Sequence, residues 1–200
     1  MGNLPKGHLS LERAFLVSGV DYCGPFVIKE KRNRNRNKIK IYAAILVCFA
    51  TKAVHIQLVS DFTTEAILAD LRRFFGRRGL SSDLYSDNGT NFVGARNEIE
   101  EIQELLLSHK HNERVRHTLS NDQIAWHVIP PHSPHFGELW EAAVKSFKHH
   151  ILRVVSSTLL TYEEMLTLTT EIEPILNSQN LFLNPDLYVL FLLILMTFPL

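Results

Sequence analysis

The stretch from Ile39 to Val59 limits the fold more than any other part of the chain. Ile39 to Ala50 and Lys52 to Val59 are two runs rich in β-branched residues, separated by a short turn near Ala50-Thr51. Such side chains suit a pleated surface, and two runs joined this closely read as an antiparallel hairpin. A shorter apolar run, Phe15 to Val20, comes before it and delivers Asp21 at its end, with Gly24-Pro25 as punctuation. Leu84-Tyr85 reads as a fourth strand running straight into Ser86-Asp87-Asn88-Gly89, and Ile124 to Ile129 as a fifth.

Helical periodicity fills the spaces between these strands. Asp61 and Thr63 offer N-caps for a helix whose apolar face carries Ile67, Leu71, Phe74 and Phe75, with Gly76 and Gly79 as its stop. A second helix is expected around Ile99, Ile102, Leu105 and Leu106, its wet side lined by Glu98, Glu100, Glu101 and Glu104. His109 to Asp122 is polar and reads as a loop, as does the basic, asparagine-rich run Lys29 to Lys40. Pro130 to Gly137 holds three prolines and a glycine, which argue against helix. From Glu138 to Val155, however, Trp140, Val144, Phe147, Ile151 and Val154 form a single apolar stripe. Thr161-x-x-Glu164 is a capping box for a last helix reaching about Asn177, kinked at Pro174. The order β-β-β-α-β-α-β-α-α implies an α/β fold, a mixed sheet with helices on its faces.

Composition narrows the function classes. The net charge is zero, but all 21 Lys and Arg lie between Lys6 and Arg153, with 16 of the 21 acids. From Val154 onward there are five acids and no base. A basic body of this kind can attract a polyanion. Two cysteines, Cys23 and Cys48, with no C-x-x-C, exclude a disulfide scaffold and a thiolate zinc ribbon.

Three acids stand where an apolar element opens onto a loop: Asp21, Asp87 and Glu141. Carboxylates brought together from separate elements suit Mg²⁺, whose preferred ligands are oxygens. At about 100° per residue, Lys145 lies about 40° from Glu141 on a helix, and Lys148 about 20° on the other side. An acid and two lysines along one helix edge could hold a cation and then phosphates. The same spacing also fits ordinary ion pairing on an exposed face. Glu138, about 60° from Glu141, could compete for metal; the register with Lys145 and Lys148 favours Glu141.

The segments GVDYCGPF (Gly19 to Phe26), SDNGTNFVGA (Ser86 to Ala95) and PPHSPHFGELWEAAVKSFK (Pro130 to Lys148) resemble the integrase catalytic core of BEL/Pao-type long-terminal-repeat retrotransposons. MGNLP at the start and TYEEMLTLTTEIEPILNSQ also fit that class. The resemblance implies an RNase H-like fold with a five-stranded mixed sheet. It further implies a D,D,E triad of Asp21, Asp87 and Glu141 that holds two Mg²⁺ (or Mn²⁺) ions. Asn88 and Gly89 match the family turn after the second aspartate, Lys145 and Lys148 match the basic positions that approach DNA, and all four are expected to bind DNA. The implied activity is 3′-end processing and strand transfer of element DNA into target DNA, by a homo-oligomer acting in the nucleus. Two alternatives stay open: an inactive or domesticated DNA-binding fragment, and an RNase H-type nuclease.

The chain then divides into an N-terminal arm (1–13), the core (14–179) and a divergent tail (180–200). Leu187 to Leu200 is fourteen residues without a charge, short of the roughly 20 that a spanning helix needs. Because the composition changes abruptly where the resemblance ends, the tail is expected to be degenerate or out of frame, with a buried final element as the alternative and no membrane partner.

Overall fold

The computed structural model describes residues 13–30, 37–86, 108–128, 134–155 and 159–180. Strands β1 (Val17–Lys29), β2 (Lys38–Cys48) and β3 (Val54–Val59) form an antiparallel meander. β4 (Asp83–Ser86) pairs with β1 in parallel, and β5 (Ala125–Val128) pairs with β4 in parallel, giving the order β3-β2-β1-β4-β5.

Strand alternation assigns the two faces. Ala43, Ile45 and Val47 of β2 point into a core with Trp140, Phe147 and Ile151 of α3 (Pro134–Val155) and Met165, Leu168 and Ile172 of α4 (Tyr162–Asn180). Ala44, Leu46 and Cys48 point the other way, onto α1 (Thr64–Arg78) and α2 (His109–Asn121). A strand covered on both sides has no wet face, which explains the nearly unbroken apolar lettering of β2. This is an α/β architecture, a five-stranded mixed sheet flanked by helices and compatible with an RNase H-like fold.

Several local expectations need correction. β1 does not end before Asp21 but continues to Lys29, with a register shift between Cys23 and Phe26. Pro25 has no N–H to give the ladder, and Gly24 adopts φ 141, so the irregularity is absorbed at these two residues. The hairpin strands also reach into the basic run, since Lys29 pairs with Lys38. α1 passes through Gly76, an exposed position, and stops at Gly79, which takes φ 84 and donates its N–H to the Phe75 carbonyl at 2.8 Å.

His109–Asn121 is a helix rather than a loop, because His111, Val115 and Leu119 recur every fourth residue and bury one face. α3 begins at Pro134, inside the segment expected to be non-helical. Proline is tolerated in a first turn, where its missing N–H would have had no intrahelical partner. At the far end Val154 leaves the stripe and is 46% exposed, beyond the reach of the core. The capping box forms: Glu164 accepts from the Thr161 N–H at 2.8 Å, and Thr161 Oγ1 from the Glu164 N–H at 3.3 Å. Arg13, at the end of the expected arm, donates to the carbonyl of Arg78 at 2.8 Å. The remainder of that arm, the expected helix around Ile99 to Leu106, and the apolar tail lie outside the described residues.

Candidate functional site

The site is built on a close crossing of α3 over β1. A Cβ on Gly19 would lie 2.1 Å from Cε3 of Trp140, so only a bare Cα lets the indole rest on the strand. Trp140 is fully buried and stacks on Phe49 at 5.9 Å between ring centres. Further along, Phe26 meets Phe147 edge-on at 6.0 Å. α3 therefore runs alongside β1, with Trp140 near Gly19 and Phe147 near Phe26.

Asp21 sits between these two anchor points. Val20 and Tyr22 belong to the core under α1, whereas Cys23 belongs to the core under α3. Alternation therefore puts Asp21, like Gly19 and Cys23, on the α3 face. Its Oδ1 accepts from the Tyr22 N–H at 2.7 Å, one residue past the last β1–β4 pair, Val20 with Ser86. Asp21 thus lies in the interior of a long strand, at the point where its described pairing with β4 stops.

The two edges of α3 face different surroundings. Leu139, Ala142 and Glu138 line a groove of about 360 Å³ with Lys52, Val54 and Leu176, on the side of β3 and α4. Glu141 and Lys148 stand seven residues apart and so share one edge of the helix, outside the residues that line this groove. Glu141 and Lys145 are exposed and Lys148 is half-buried. Lys148 and Asp21 share a neighbour in the buried Cys23. Burial pushes that thiol well above its usual pKa, the Asp21 carboxylate pushes it further, and the Lys148 ammonium partly offsets both.

Among the expected site residues, then, Asp21 lies on the α3 face of β1, Asp21 and Lys148 both neighbour Cys23, and Glu138 lines the groove. Asp87, Asn88 and Gly89 fall outside the described residues. No cluster of three or more His, Cys, Asp or Glu within reach of one metal ion occurs among the described residues. The donor set that is described suits a hard cation. Asp21 and Glu141 supply carboxylate oxygens, while the nearby soft donor, Cys23, is buried and held protonated. Sequence reading missed Gly19 and Cys23 as parts of this site. Their signal was present in GVDYCG as alternation about Asp21, but only the longer strand puts all three on one face.

No family model and no curated protein matches the chain. Solved structures that match include a chain of the cryoEM structure of the simian T-cell lymphotropic virus intasome in complex with PP2A regulatory subunit B56 gamma. The identity is 16% and the TM-score 0.47. The match covers 79% of this chain and 48% of that one, so this chain spans about half the length of its structural neighbour.

Proposed function

We propose that this chain is an integrase-type catalytic core of the BEL/Pao class that performs polynucleotidyl transfer on DNA. One observation carries the reading. Asp21 lies on the α3 face of β1, just past its last described pair with β4, and it shares the buried neighbour Cys23 with Lys148, which stands seven residues after Glu141 on one edge of α3. Ser86 is the β4 partner of Val20, and Asp87 follows it in the chain. Asp21, Asp87 and Glu141 are then the triad, with Glu138 turned toward a separate groove.

In this reading, water first hydrolyses a phosphodiester near each element end and frees a 3′-hydroxyl. That hydroxyl then attacks a target-DNA phosphate in line, with no covalent enzyme intermediate. The chain's own part is to place both strands. Lys145 and Lys148 hold phosphates along the α3 edge, and Asn88 and Gly89, next to Asp87 in the chain, contribute to DNA binding. Asp21, Asp87 and Glu141 would hold two Mg²⁺ or Mn²⁺ ions, which supply Lewis-acid stabilisation of the attacking and leaving oxygens. Action as a homo-oligomer in the nucleus follows from the substrate and the resemblance.

The test is strand transfer from a pre-cut donor duplex into plasmid DNA with Mg²⁺ or Mn²⁺. Wild-type chain should give joined products, and Asp21→Asn, Asp87→Asn and Glu141→Gln should each reduce them at least a hundredfold. DNA binding without joining in wild type would favour a domesticated DNA-binding fragment. Cleavage of RNA–DNA hybrids without joining would identify an RNase H-type nuclease.

A further inference from the structure

Gly137 and Glu141 stand four residues apart on α3 and so share one face of the helix. A Cβ on Gly137 would lie 2.9 Å from Glu141 Oε1 and 3.7 Å from Trp140 Nε1. The space left by the absent side chain is thus bordered by both a carboxylate oxygen and an indole N–H. Trp140 is 0% accessible, and its Nε1 is buried with no hydrogen-bond partner among the described residues. A buried donor left unpaired is costly, and the Phe49 stack and the bare Gly19 Cα hold this one in place.

We infer that Gly137 is a positioning residue for Glu141: its missing Cβ is the seat that aims the carboxylate, with Trp140 Nε1 as the donor at that seat. The inference rests on reading Glu141 as a metal ligand. Turned into the gap, one carboxylate oxygen accepts from the indole N–H and leaves the other to a cation. Alanine at position 137 fills the gap and pushes the carboxylate away. Because alanine is the better helix former, such a variant separates positioning from stability.

The experiment is calorimetric titration of the full chain with Mn²⁺, beside thermal unfolding, for wild type, Gly137→Ala, Asp21→Asn and Glu141→Gln. Gly137→Ala should bind Mn²⁺ at least tenfold more weakly than wild type while unfolding at the same or a higher temperature. In ¹⁵N–¹H spectra, Mg²⁺ should shift the Trp140 indole resonance of wild type and leave that of Gly137→Ala unmoved. The Trp126 indole, bonded to Ser86 Oγ at 2.9 Å, serves as the internal reference. Wild-type Mn²⁺ affinity in Gly137→Ala overturns the inference alone. Wild-type affinity in Asp21→Asn and Glu141→Gln, or no binding by wild type, overturns the ligand reading beneath it.

Discussion

On α1, Asp70 is wholly buried, with Oδ2 accepting from the Tyr22 hydroxyl at 3.4 Å and Oδ1 from Arg73 at 3.3 Å. Burial raises its pKa from 3.8 to about 7, against the Arg73 charge and the two hydrogen bonds, which lower it. A carboxyl that keeps its proton in the fold and loses it in the unfolded chain favours the fold most below about pH 4. That advantage fades as pH rises toward 7. Wild type should therefore lose stability relative to Asp70→Asn between pH 4 and 7, as read from paired thermal melts. Burial lowers the pKa of His111 and works in the opposite sense, so the difference between the two proteins is what reports Asp70. A flat difference would remove Asp70 as the source. Two glycines make a second contrast. Gly19→Ala drives a methyl into Trp140 and should cost about 1–3 kcal/mol or more. Gly76→Ala meets nothing within 4 Å and should add about 0.5–1 kcal/mol. Denaturant midpoints check both signs. Lettering alone shows a glycine at the head of GVDYCG and another inside FFGRRG; it cannot tell the one beneath an indole, Gly19, from the one facing water, Gly76.

Among whole elements, β3 is an edge strand of the sheet, and an open edge invites pairing with another chain. Here α4 side chains stand in for a neighbouring strand. Asn177 accepts from the Val54 N–H at 2.6 Å and donates to the Val54 carbonyl at 3.0 Å, while Glu173 accepts from the Ile56 N–H at 2.9 Å. Burial alone would raise the Glu173 pKa, but hydrogen bonds from His55 and Ile56, with the charges of His55 and Arg78, hold it below its usual value. Asn177→Ala should cost about 1–3 kcal/mol by leaving both Val54 groups unpaired. It should also promote concentration-dependent association visible in light scattering; unchanged stability would show that water replaces the amide. The helix carrying these residues was legible from its capping box, a purely local signal. Its role along the β3 edge was not, because Asn177 and Val54 are 123 residues apart in the chain. α2 makes the complementary case. Its three buried residues are spread among ten others, mostly polar, so the surface that receives them, not intrinsic preference, explains the helix.

Over the molecule as a whole, the basic residues all lie in the segment from Lys6 to Arg153, and the proposed DNA edge of α3 falls near its end. Phosphate contacts release counterions, so binding should weaken steeply with salt. Replacing Lys145 and Lys148 together by alanine should reduce the slope of log K against log salt by about 2, similarly for unrelated DNA sequences. An unchanged slope would take both lysines out of the interface. The period-two and helical patterns, the turn residues and the order of the three acids could all be read before any coordinates, because each depends on neighbours within a few positions. Folding added the pairings between distant segments. It set Asp21 in the middle of a strand, covered β2 on both faces, and put Glu138 in the wall of a groove. Those outcomes depend on strand register and on which surfaces a helix meets. Both are fixed by contacts between residues far apart in the chain, and no local pattern encodes them.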